Sequence, residues 1–256
     1  MKHLMLALSL FLCAPLTRSL PVTGVAVQTW HYDPQTNMVT LQIVNASRKD
    51  ITGYNISLKE TYADGHVENH EVLSDFVGRI KFLQDIKGTP EEARIRKELG
   101  DGLFHPGEVR KELVGVQPDL KDFQAEVDVV AYADQTREAT NSDGLQRLAD
   151  HRKTEVASTQ MANEIIKAAL ADPNDANPAA TAAAKIQDRI TTWKAQRHTT
   201  LDLETGTLRS IVNELNEISL HSNNKRDALS QYVAKSEQGI ATLSPHADLK
   251  KSAGPQ

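Results

Sequence analysis

Between Ala133 and Ser142 the hydrophobic period of the chain changes, and that change constrains the fold more than any other feature. Before it, apolar residues mostly alternate with polar ones, the two-residue repeat of strands with one packed face. After it they recur at threes and fours against a background of Ala, Leu, Gln, Glu and Lys, the repeat of helices buried along one stripe. Because the two patterns follow one another rather than interleave, the expected class is α+β, with an antiparallel β-part over residues 20–140 and a helical part over 141–243.

In the β-part, alternation predicts strands at Val25 to Tyr32, Met38 to Val44, Ile51 to Tyr62, Gly65 to Leu73, Val109 to Val116 and Phe123 to Ala133. The stretch "LQIVNASRKDITGYNISLKETYADG", Leu41 to Gly65, shows the logic. Leu41 and Ile43, then Tyr54, Ile56 and Leu58, recur at strand spacing, and the polar run Asn45 to Asp50 links the two strands. Asp64-Gly65 closes a hairpin, with Gly supplying the positive φ of a tight turn. Asn45 and Asn55 each begin an Asn-x-Ser triplet, but Asn55 falls inside a strand, so the stretch reads as two strands and a turn rather than as glycan acceptors.

The block "VTLQIVNASRKDITGYNISLKETYADG", the turn "FHPGEV" ahead of a strand and the strand "VDVVAYAD" resemble the immunoglobulin-like β-sandwich of exported bacterial proteins of unknown role, among them the FxLYD-like domains. Here "SLKETYADG" replaces the family's Phe-x-Leu-Tyr-Asp order. The resemblance covers about the first half of the mature chain. It implies a folded module outside the cytoplasm and brings no catalytic residues with it.

One segment interrupts the alternation. From about residue 74 to 106 there is little strand character, far more chain than a hairpin loop needs. Thr89-Pro90-Glu91-Glu92 is a helix start, with Thr as cap, Pro at the first helical position and carboxylates near the positive end of the dipole. Upstream, Phe76, Ile80, Phe82, Leu83 and Ile86 form an apolar strip over one end of the sheets and are the candidate interaction surface.

The N-terminus predicts export. Met1-Lys2-His3 is a short basic start, and Leu4 to Leu16 is an apolar run too short to span a bilayer before small and polar residues follow. The expected signal peptide is residues 1–19, cut after Ser19, with Gly24 as the second position. Leu12 stands where lipid attachment to Cys13 would need a small residue. Cys13 is the single cysteine, so the mature chain is held by its core alone and offers neither a thiol nucleophile nor a cysteine metal site. Losing Lys2 and Arg18 moves the formal net charge from −5 to −7. With no basic stripe, nucleic acid is not an expected partner. No later apolar run is long enough for a transmembrane segment.

In the helical part, Ser142 and Asp143 cap a helix running to about Ala171, and Asp172 to Pro178 interrupts it. Asn177 and Pro178 start the next helix, whose face carries Ile186, Ile190, Trp193, Arg197 and Leu201. The stripe resumes as Leu208, Ile211, Leu215, Ile218, Ser222, Lys225, Leu229 and Tyr232, close to a coiled-coil seam. Thr205-Gly206-Thr207 is the natural turn between them, giving an antiparallel bundle of three helices; the alternative is a hairpin with one very long second helix. The stripe is either internal core or a surface for a homo-oligomer. Residues 244–256, rich in Pro and small residues, are expected to be a disordered tail.

Chemical motifs are sparse. His66-x-x-x-His70 has the ends of a zinc motif, but on a strand these residues are about 13 Å apart along the chain, too far to share an ion. Glu217 and His221 lack the Glu-x-x-His spacing and matching carboxylates of di-iron bundles. No Gly-x-Ser-x-Gly elbow or phosphate loop is present. No cofactor, metal or catalytic residue is therefore assigned, and the expected function is a non-enzymatic binding or structural module that meets a protein or envelope partner. The competing reading is a hydrolase using Asp75, His105 or Glu108 beside the insertion.

Overall fold

The computed structural model describes residues 22–78, 94, 100–197 and 203–249. The expected signal peptide, the helix starting at Thr89, Leu201, and Ile80, Phe82, Leu83 and Ile86 lie outside the described residues.

Alternation places the strands well. In chain order they are β1 (Val25–Asp33), β2 (Met38–Asn45), β3 (Ile51–Tyr62), β4 (Val67–Asp75), β5 (Val109–Gly115), β6 (Leu120–Tyr132) and β7 (Arg137–Ala139). They form two antiparallel sheets, one ordered β1-β2-β5 and the other β4-β3-β6-β7. Val39, Leu41 and Ile43 from one sheet and Tyr54, Ile56 and Leu58 from the other share one core, which explains why each strand shows a two-residue period. Only β7 had no sequence signal; three residues are too few to show a period.

Local polar contacts fix the turns of the opening stretch. Gly65 adopts φ +90° between β3 and β4, and its N–H donates to the Tyr62 carbonyl at 3.0 Å. The Asn45 amide donates to the carbonyls of Lys49 (2.9 Å) and Phe104 (2.6 Å), while its oxygen accepts from the Ser47 N–H at 2.9 Å. Asn55 is buried and donates to Asp128 Oδ1 at 2.9 Å. Both triplet asparagines are thus internal ties between segments.

Of the expected apolar strip, Phe76 is the one member among the described residues, and it packs inward rather than presenting a surface. It is buried, with its ring edge-on to Tyr54 at 5.5 Å and the Arg110 guanidinium over it at 4.5 Å. Its N–H donates to the Thr52 carbonyl at 2.8 Å, which prolongs the β3–β4 pairing past Asp75. The pleat therefore continues, and Phe76 turns to the same inward side as Ser74.

Among the described residues four helices follow: α1 (Ser142–Ala171), α2 (Pro178–Arg197), α3 (Leu203–His221) and α4 (Lys225–Ala247). The cap of α1 is Asn141, one residue before the expected Ser142; its Oδ1 accepts from the Asp143 and Gly144 N–H groups. Gly206 is helical, inside α3, so the expected turn is not at Thr205-Gly206-Thr207. A break that the seam ran straight through comes at Ser222 to Asn224, where Asn224 caps α4 by accepting from the Asp227 N–H. Ile186, Ile190, Leu208, Ile211, Leu215 and Leu229 all lie buried in one core shared by the four helices. Residues 244–247 belong to α4 rather than to a tail, because Leu243 and Ala247 are buried one turn apart.

The first turns of α1 rest on the outer face of the four-stranded sheet. Leu148 joins Val129 and Ala131 in a small second core, with Leu73, Leu145 and Leu249 at its edge. A Cβ on Gly144 would stand 2.9 Å from Asn55 Nδ2 and 3.2 Å from Val129 Cγ2, so the approach needs a glycine. Among the described residues, no helix is long and apolar enough to cross a membrane.

Candidate functional site

Strand register builds a polar cluster where the core runs out. Along β3, Tyr54, Ile56, Leu58, Glu60 and Tyr62 alternate onto the inward face, so a carboxylate occupies a core position between Leu58 and Tyr62. Antiparallel pairing sets Glu60 opposite Glu68, and Leu58 opposite His70, on β4. Glu60, Glu68 and His70 consequently share one face, and one potential ligand atom from each lies within 4.8 Å of the others. His70 Nε2 is 3.0 Å from Glu68 Oε2 and 3.9 Å from Glu60 Oε2.

Glu60 is the unusual member. It is 1 % exposed; Oε2 accepts from the Tyr62 hydroxyl, and Oε1 has no hydrogen-bond partner. Burial, then the hydrogen bond and charge of Glu60, pushes the Tyr62 hydroxyl up to about 12. The Tyr62 hydroxyl oxygen also accepts from the Gln117 N–H at 3.2 Å, and the ring stacks on His66 at 4.4 Å. Glu68 is held from several sides: Gln117 Nε2 donates to Oε1 at 2.6 Å, and His66 Nε2 lies 3.5 Å from the same oxygen. The His70 hydrogen bond, helped by His66, lowers the Glu68 carboxyl below its usual range. His66 is shifted up, chiefly by its hydrogen bond to Asp64 at 2.7 Å.

His66 and His70 thus face different oxygens of Glu68 rather than one common point. Spacing along one strand relates these two histidines alone; cross-strand register brings in the carboxylates, whose one sign in the sequence is a Glu at an inward position of "ITGYNISLKETY".

The residues considered for hydrolysis are committed to separate structural contacts. The Asp75 side chain, 7 % exposed, lies on the outer face of β4, where Arg152 of α1 donates to both of its oxygens at 2.9 and 3.0 Å. Burial would raise this carboxyl, but the His151 hydrogen bond, the Arg152 charge and its hydrogen bonds outweigh it and hold Asp75 low. His105 is half exposed between Asp50 and Asp101, 2.8 and 2.9 Å from its two ring nitrogens, and is shifted up mainly by Asp50. Because those carboxylates sit on opposite sides of the ring, they cannot converge on one ion with it. Glu108 accepts from the His105 N–H and pairs with Arg110 at 2.8 Å. Glu217 and His221 are a surface pair at 3.4 Å.

No protein-family model matches the sequence, and no curated protein matches it. Among solved structures, a hypothetical protein from Peptoclostridium difficile 630 aligns with 49 % of this chain and 90 % of its own, at 13 % identity and a TM-score of 0.28.

Proposed function

We propose that the chain is a non-enzymatic exported protein, a binding or structural module of the cell envelope or secreted fraction, whose working surface is the rim formed by Glu60, Glu68 and His70. The observation that carries this reading is the cross-strand cluster: the Oε2 of buried Glu60 lies 3.9 Å from half-exposed His70, which sits 3.0 Å from Glu68. A carboxylate at a core position of a strand is uncommon unless it is paired or serves a site. The partner, a protein or another envelope component, meets the module at this rim.

Two further features support the reading. Three- and four-stranded antiparallel sheets around one core suit an immunoglobulin-like module of the FxLYD-like kind. Signal cleavage after Ser19 is favoured over Gly24, because the Thr23 and Gly24 N–H groups donate to Glu138 Oε2 at 2.7 and 3.2 Å and would leave with the later cut. The bundle stripe is occupied internally, so assembly through it is not part of the proposal.

The test is a panel of ester, phosphoester, peptide and glycoside substrates offered to the wild-type chain and to Glu68→Gln. The expected result is equal background in both. Turnover by wild type that Glu68→Gln loses would replace the binding module with an enzyme.

A further inference from the structure

A buried carboxylate is tolerated when a cation compensates it. Among the described residues no Lys or Arg pairs with Glu60, and the cation-capable side chain within ion-pair reach is His70, 3.9 Å away and 51 % exposed. Glu68 stands at the same point, and Asp64, in the turn, lies against His66, so three carboxylates crowd the rim.

The geometry points to a divalent cation held by Glu60, Glu68 and His70, zinc before other first-row metals; this rests on the functional reading above and names the ligand of the same site. Four-coordinate zinc with bonds of about 2.0–2.1 Å separates its ligand atoms by roughly 3.3–3.4 Å. The distances from His70 Nε2 to the Glu68 and Glu60 oxygens, 3.0 and 3.9 Å, straddle that value, and all three ligand atoms lie within 4.8 Å of one another, so modest rotations of the half-exposed His70 and of Glu68 close the set. Both carboxylates are also held by neighbours: Glu68 through its far oxygen Oε1 by the Gln117 amide, and Glu60 at the facing oxygen Oε2 by the Tyr62 hydroxyl. Such outer partners are what fix ligands in metal sites.

The donor set selects the metal. One imidazole and two carboxylates are too few for calcium, which takes six to eight oxygens, and the nitrogen favours zinc over magnesium. Three protein ligands leave a fourth position on the solvent side, next to half-exposed His70. That position gives the partner a place to attach through a carboxylate or imidazole of its own.

The test uses the mature chain without an affinity tag, stripped with chelator and titrated with zinc, magnesium or calcium by calorimetry, with melting temperature read in parallel. Wild type is expected to bind one zinc and to melt higher with it, with no response to magnesium or calcium. His70→Ala and Glu68→Gln are expected to weaken zinc roughly tenfold or more, while His105→Ala and His221→Ala bind as wild type. His70 and Glu68 are not core side chains, so both variants keep the fold, which circular dichroism verifies. No zinc uptake by wild type, or equal uptake by His70→Ala, overturns the cation site. If the substrate panel stays silent in that case, the binding module stands with a different ligand; if the panel shows Glu68-dependent turnover, the module itself falls.

Discussion

Replacing Arg152 with Met should destabilise the protein by about 3–5 kcal/mol, the range for removing one partner of a buried ion pair. The guanidinium is buried at the junction of the sheet and the bundle and makes five hydrogen bonds: two to Asp75, two to Thr52 and one to the His246 carbonyl. Met fills much of the same volume, so little of the loss is packing. What remains is the largely covered Asp75 carboxylate, with, among the described residues, the Val77 N–H at 3.2 Å and His151 at 3.4 Å to support its charge. Urea unfolding followed by circular dichroism measures the change. At about 2–4 °C per kcal/mol for a chain of this size, the melting temperature should fall by roughly 6–20 °C. The double variant Asp75→Leu/Arg152→Met removes both charges and should recover most of the loss. A loss below about 1 kcal/mol for Arg152→Met, the worth of a surface pair, would refute the junction as described.

Gly144→Ala should cost about 1–3 kcal/mol, because its Cβ would press on Asn55 and Val129 and lift α1 from the sheet; urea titration reads it. Gly206→Ala meets nothing within 4 Å inside α3 and should stabilise by up to about 1 kcal/mol, in the same assay. Asp75 has a folded pKa below its unfolded value, so its contribution is complete above about pH 4 and is lost as pH falls through the folded value. Stability measured from pH 5 to pH 2 should therefore fall more steeply in wild type than in Asp75→Leu/Arg152→Met.

Much of the fold was legible because its causes are local. Alternation around one shared core marks β1 to β6, and Asp64-Gly65 marks the hairpin that carries the rim. The break at Ser222 to Asn224 escaped because apolar spacing continued across it, while the deciding contact was a single Asn224 cap. Gly206 misled in the opposite direction: a weak helix former is tolerated where neighbouring turns pack, as Leu208 does in the bundle core. The junction was not readable, since Arg152 looks like any charged residue of an amphipathic helix until Asp75 and Thr52 are placed against it. The rim was half readable. A Glu at an inward strand position is visible in the sequence, but only the pairing of Glu60 with Glu68 and Leu58 with His70 shows what surrounds it.

The most direct measurement is a zinc titration followed by nuclear magnetic resonance on the mature chain, tracking histidine ring and backbone amide signals. With zinc at the rim, the His70 ring and the amides from Lys59 to Tyr62 and Val67 to Glu71 move together and saturate at one equivalent. Shifts centred on His105 or His221, or no saturable shift at the rim, would contradict the cation site.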